Sequence, residues 1–210
     1  MSSPSSGGPD EAIAWFERLY ADAEAGQAEV PWALGVPNPL LVDWADGVEL
    51  AGDGAPALVV GCGYGDDAEY IATRGYSVTA FDISPSAIRG VQRRFPSTPV
   101  GYTVADLFEL PAAWHRAFTL VVEAFTVQAL PVRLRPAATA AVAGTVARDG
   151  RLLVVARTRE DEEAEGDGPP WPLTRAELDL FGRDGLRLEQ VERIPRPDGA
   201  TSWWRAEFRR

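Results

Sequence analysis

The sequence predicts an α/β fold: a doubly wound, mainly parallel seven-stranded sheet that ends in an antiparallel C-terminal hairpin. Three observations carry this. Ala57-Leu-Val-Val runs four apolar residues straight into glycines at 61, 63 and 65, the pattern of a buried parallel strand, a tight turn and a helix. Short apolar runs then alternate with helix-length segments as far as residue 156, the rhythm of βαβ units. The last two strand-like segments, 186–194 and 202–208, are separated by a stretch containing Pro195, Pro197 and Gly199. No helix fits between them, so they pair with each other.

The elements follow in order. Residues 1–9 are rich in Ser, Gly and Pro and read as a disordered tail. Asp10 can cap a helix running to about residue 25, with Ile13, Phe16, Leu19 and Tyr20 on one face and Gly26 ending it. A Pro/Gly-rich loop at 35–39 leads into a short helix at 40–48. Residues 10–210 are expected to form a single domain, with 10–50 as its N-terminal lid. Strands are expected at 57–60, 77–81, 101–104, 120–123 and 151–156, and helices at 66–73, 85–94, 131–147 and 174–181. The acidic stretch 159–168 reads as a mobile surface loop.

Composition narrows the class. The 210 residues carry a formal net charge of −11, which argues against nucleic acid and anionic membranes as partners, since both demand clustered cations. All 20 basic residues are Arg, a hint of a high-GC bacterial source. One cysteine, Cys62, allows neither a disulfide within the chain nor a zinc cluster. With no apolar h-region and no membrane-length apolar run, the expected location is the cytoplasm.

The glycine turn reads G-x-G-x-G. A dinucleotide fingerprint would have a third glycine where Asp66 stands. Asp66 and Asp67 would repel a pyrophosphate at the helix N-terminus, whereas a zwitterion bearing an ammonium group tolerates them. Asp82, at the carboxyl end of the second strand, can accept two hydroxyl hydrogen bonds from a ribose. Ser84 can cap the following helix in its stead. Asp106, after the third strand, can accept from an adenine amino group while Leu107 packs on the ring, although an Asp there also suits a plain turn. Glu123 ends the fourth strand, at the rim where such sheets carry their chemistry. An Asn/Asp-Pro-Pro-Tyr/Phe motif does not occur there, against base or amide methylation. Trp15, Tyr20, Trp32 and Trp171 offer aromatic faces that suit a sulfonium cation.

Together these residues resemble the class I S-adenosylmethionine-dependent methyltransferases, and within them the thiopurine and thiol/halide methyltransferase group. Val30-Pro-Trp-Ala-Leu-Gly-Val-Pro-Asn-Pro-Leu40 is similar to that group's Pro-Trp-x-x-Gly-x-Pro-x-Pro-Leu segment. Leu58-Val-Val-Gly-Cys-Gly-Tyr-Gly-Asp-Asp67 is similar to its Val-Pro-Gly-Cys-Gly-x-Gly-x-Asp turn, and Gly168-Pro-Pro-Trp171 to its Gly-Pro-Pro-Tyr/Phe segment. The resemblance implies S-adenosylmethionine as cofactor and S-adenosylhomocysteine as product. It places Gly61, Cys62, Gly63 and Gly65 along the methionine part. Asp82 and Ile83 would hold the ribose and adenine, Asp106 and Leu107 would flank the adenine, and Trp32 and Glu123 would close over the methionine. Trp15, Tyr20, Phe125 and Trp171 would line the acceptor pocket. Val60, Ala33 and Phe125-Thr-Val-Gln128 depart from the group's usual residues, and the last stretch is on the acceptor side.

The expected activity is methyl transfer to a small molecule, most readily a thiol or other soft nucleophile, by a monomer using no metal. A thiol needs little deprotonation, so a positioning mechanism without a catalytic residue suffices. Arg157 is the candidate for binding an anionic acceptor. An O- or N-methyltransferase would need a base, for which His115 or Glu123 would have to serve. A nicotinamide oxidoreductase and a non-catalytic cofactor-binding scaffold are the remaining classes.

Overall fold

The computed structural model describes residues 9–160, 169–197, 199 and 201–210, with side chains from residue 14 onward. Its sheet has seven strands in the order β3-β2-β1-β4-β5-β7-β6: β1 (Pro56–Val60), β2 (Ser77–Asp82), β3 (Gly101–Val104), β4 (Phe118–Ala124), β5 (Val146–Arg157), β6 (Arg187–Pro195) and β7 (Ser202–Arg209). The first five run parallel, β7 pairs antiparallel to β5, and β6 pairs antiparallel to β7. The α/β sheet with its closing hairpin is the architecture the sequence predicts.

Burial explains the order. On β1, Ala57, Leu58, Val59 and Val60 are all at most 3 % exposed, because alternate residues serve two cores. Ala57 and Val59 pack with Leu41, Trp44 and Ala45 of α2 (Pro39–Gly47) and with Ala68 and Ile71 of α3 (Asp66–Thr73). Leu58 and Val60 face Ala138, Val142 and Ala143 of α5 (Arg135–Thr145) and Leu178 of α6 (Arg175–Asp179). The α1 helix (Pro9–Glu24) lies outside this sandwich, docked on α4 (Pro85–Arg94) through Leu19, Tyr20 and Ala87.

Two expectations are corrected. Asp10 lies inside α1 and is not its cap, since the helix already includes Pro9. The helix expected at 131–147 is a 3-10 turn, Val132–Leu134, followed by α5, and the strand begins at once with Val146. Val146 pairs with Phe118, and Ala117 N–H bonds the Thr145 carbonyl. A β-branched residue beside an open strand edge leaves the helix. The tail at 1–8 and the loop residues 161–168 lie outside the described residues.

Candidate active site

The carboxyl ends of β1, β2, β3 and β4 open into a cavity at the point where the strand order reverses between β1 and β4, the place where open α/β sheets bind ligands. Three kinds of chain line it: the glycine turn after β1, the residues after β2 and β3, and a loop wall from α1, 32–38 and 124–134.

The turn is built to let backbone face the cavity. Gly61 and Gly63 have φ of +60° and +52°, in the left-handed region that favours glycine. A Cβ on Gly61 would stand 2.3 Å from Thr126 Oγ1, and one on Gly63 would stand 2.9 Å from the Tyr20 hydroxyl. Asp82 locks the turn from below. Its Oδ2 accepts from Gly63 N–H at 2.9 Å and its Oδ1 from Ser84 N–H at 2.9 Å. Ser84 itself caps α4, with Oγ accepting from Ala87 N–H at 3.0 Å, so capping is not the work of Asp82. Burial outweighs these hydrogen bonds and pushes the Asp82 carboxyl up to about 6.

Asp106 both caps and lines. Its Oδ1 accepts from Phe108 N–H at 2.8 Å, opening the 3-10 turn Leu107–Glu109, and the residue faces the cavity beside Leu107, as does Ile83 after β2. Cys62 also lines it; burial first, then the nearby Asp82, holds its thiol well above the usual range. That is a poor nucleophile and a good small packing group.

The loop wall brings Phe16, Tyr20, Trp32 and Phe125 to the same space. Trp32 Nε1–H donates to the Tyr20 hydroxyl at 2.9 Å. Phe125 sits at φ +64°, a costly conformation for an aromatic residue. Glu123 holds this corner: its Oε1 accepts from Thr126 N–H at 2.7 Å and from Val127 N–H at 2.8 Å.

Of the residues singled out from the sequence, Trp32, Gly61, Cys62, Gly63, Asp82, Ile83, Asp106, Leu107, Tyr20 and Phe125 line the cavity. Five are elsewhere. Gly65 is the left-handed cap of α3. Trp15 stacks outside, 6.2 Å from the Trp32 ring, and Phe16 takes the place given to it. Glu123 is 1 % exposed behind the corner it braces, and burial pushes its carboxyl up to about 7. Trp171 is 4 % exposed and tied to the Gln128 carbonyl through its own N–H at 2.8 Å. Arg157 donates its backbone N–H to Gln128 Oε1 at 2.6 Å and is not on the wall. His115 is exposed before β4, at the amino-end edge of the sheet, opposite the cavity.

Sequence reasoning missed Asn38, Asp67, Thr126, Leu130 and Leu134, which also line the cavity. Asp67 Oδ1 accepts from Asn38 N–H at 2.7 Å, tying the 32–38 segment to α3, and burial pushes this carboxyl up to about 6. Asp67 was legible as the last residue of the glycine motif; Leu130 and Leu134 carry no local signal.

These residues suit S-adenosylmethionine. A backbone-lined turn, strand-end acids beside Ile83 and Leu107, and a cluster of aromatic faces match a zwitterion, a diol, a purine and a sulfonium in turn. Among the described residues, no helix is long and apolar enough to cross a membrane.

The comparisons with known proteins agree. The chain is 28% identical over 197 residues to thiocyanate methyltransferase 1 of Brassica oleracea, covering 89% of this chain and 84% of that protein. It is 26% identical over 168 residues to 2-heptyl-1-hydroxyquinolin-4(1H)-one methyltransferase of Mycobacteroides abscessus, covering 78% and 72%. The Burkholderia thailandensis 1,6-didemethyltoxoflavin-N1-methyltransferase, solved with S-adenosylhomocysteine, shares the fold at a TM-score of 0.71, with 18% identity over 97% of this chain and 91% of that one. A family model, thiopurine S-methyltransferase, matches residues 22–198. The protein is thus an S-adenosylmethionine-dependent small-molecule methyltransferase that releases S-adenosylhomocysteine, and it belongs to the thiopurine S-methyltransferase family.

Proposed function

We propose that the protein methylates a small-molecule thiol or another soft nucleophile. The observation that carries this reading is that, among the described residues, neither His115 nor Glu123 lines the cavity, while the lining acids Asp67, Asp82 and Asp106 are tied to backbone N–H groups. His115 lies at the opposite edge of the sheet, and Glu123 is sealed behind residues 125–127. A thiol with a pKa of about 8.5 is partly ionised at neutral pH and needs no strong base.

The cofactor supplies an activated methyl on a sulfonium. The chain supplies placement and exclusion of water. Asp82 takes the ribose hydroxyls; Asp106, Ile83 and Leu107 take the adenine; the backbone at 61–63 takes the methionine part, with Asp67 near its ammonium. Trp32, Tyr20, Phe16 and Phe125 close over the sulfonium and dry the reaction path. Glu123 acts through the 125–127 corner as a positioning residue, and α1 with the 32–38 segment serves as the lid.

The test is turnover of S-adenosylmethionine with matched thiols, phenols and amines, read as methylated product and S-adenosylhomocysteine by mass spectrometry. Thiols are expected to turn over fastest. Product from hydroxyl or amine acceptors alone would favour a second reading, O- or N-methylation, to which the Mycobacteroides relative's named substrate lends support.

A further inference from the structure

The charges of the cavity wall restrict the acceptor beyond its reacting atom. The chain has 20 Arg, no Lys and one His, and every one of these lies among the described residues. None lines the cavity, whereas Asp66, Asp67, Asp82 and Asp106 do. Arg94 neutralises Asp66 at 2.7 Å. The other three accept backbone N–H groups.

The arginines next to the wall are turned from it. Arg135 follows the lining residue Leu134 but is 1 % exposed. Its Nε bonds the Leu130 carbonyl at 3.2 Å, and its other nitrogens meet Glu177 and the Trp171 carbonyl. Arg157, whose backbone N–H bonds Gln128 Oε1, does not line the cavity. The loop side of the cavity is apolar, with Leu34 64% and Val36 56% exposed at its rim and Phe125, Leu130 and Leu134 deeper.

We propose that this cavity selects acceptors that are uncharged and apolar away from the reacting atom, and rejects anionic ones. The proposal rests on the methyl-transfer reading above. A carboxylate on the acceptor would find no cationic side chain on the wall to replace its lost water.

The test uses matched pairs: phenylmethanethiol against 4-(sulfanylmethyl)benzoate, and hexane-1-thiol against 6-sulfanylhexanoate. Two readouts run in parallel. One is kcat/KM with S-adenosylmethionine; the other is calorimetric binding to the protein loaded with S-adenosylhomocysteine, which does not depend on chemistry. The neutral member of each pair is expected to be favoured by about 30-fold or more in each readout, from the uncompensated desolvation of the carboxylate. Leu134→Arg is expected to narrow the gap at least about tenfold by supplying a cation. Equal use of both members, better use of the anionic one, or no binding of either neutral compound overturns the proposal. Neutral-over-anionic binding without turnover of any thiol would overturn S-methylation and support the charge selection.

Discussion

The strand-end wall and the loop wall of the cavity differ in how they are held. The first is a continuous construction: the glycine turn leaves β1, Asp82 ends β2, Asp106 follows β3, and Asp82 bonds the turn directly. The second is gathered from α1, the 32–38 segment and residues 124–134, joined by single hydrogen bonds such as Trp32 to Tyr20 and Asn38 to Asp67. Sheet ends give fixed geometry, and loops give variety at lower cost to the fold. A family that keeps one methyl donor and varies its acceptors is served by that division.

The sharpest way to break the contrast is at the turn. Gly61→Ala combines a left-handed φ of +60° with a Cβ 2.3 Å from Thr126 Oγ1. It is expected to cost about 3–4 kcal/mol of stability in urea unfolding. An equal loss from Leu34→Ala, on the exposed rim, would erase the difference between the two walls.

Next comes Asp82→Ala, which removes the acceptor for Gly63 and Ser84 N–H. Calorimetric affinity for S-adenosylhomocysteine is expected to fall at least about 100-fold. Unchanged affinity in a folded variant would remove Asp82 from the donor site.

The pattern of what the sequence revealed follows the same line. β1, the glycine turn and the acids at 82 and 106 are local patterns, set by apolar runs and by spacing within a few residues. The loop wall depends on which of two neighbours on a helix turns inward. Phe16 and Tyr20 are one turn apart and share the face; Trp15 does not. Leu134 ends a 3-10 turn where a longer helix was expected, and it lines the cavity together with Leu130. Glu123 is the penultimate residue of β4 and Arg157 the last of β5, where strand ends at 123 and 156 were expected, and neither residue lines the wall.

A third prediction concerns pH. The carboxyls of Glu123 and Asp82 are raised to about 7 and about 6 in the fold from ordinary values of 4.5 and 3.8. The folded state therefore binds more protons than the unfolded chain in that window. Their contribution is present below about pH 4 and is lost as pH rises through 6 and 7. Stability of the apoprotein is expected to decline across this range, by on the order of 1–3 kcal/mol for Glu123. Glu123→Gln, which keeps an acceptor for Thr126 and Val127 N–H, should flatten the decline in urea titrations at pH 5 and pH 8. Donor affinity should move the opposite way, strengthening from pH 5 to pH 7 as Asp82 ionises.

The smallest expected effect lies where α1 meets α4. Glu17 accepts from Ser84 Oγ at 2.5 Å and from Ser86 Oγ at 2.7 Å. Burial raises its pKa, but these hydrogen bonds win and hold it below the usual range. Glu17→Ala is expected to cost about 1 kcal/mol and to speed amide exchange in α1 without changing exchange in β1. Equal acceleration in both would mean that α1 and the sheet open as one unit.

The Trp32–Tyr20 bond has one more consequence. The Tyr20 hydroxyl accepts from the Trp32 indole and occupies the space beside Gly63 that a Cβ would fill. An indole is thus wired, through one phenol, to the turn proposed to meet the cofactor. Trp32 also lines the cavity, so its emission is expected to change when the proposed donor site fills. Titrating either cofactor form against tryptophan emission, with Trp32→Phe as the blank, would follow loading in real time without a label.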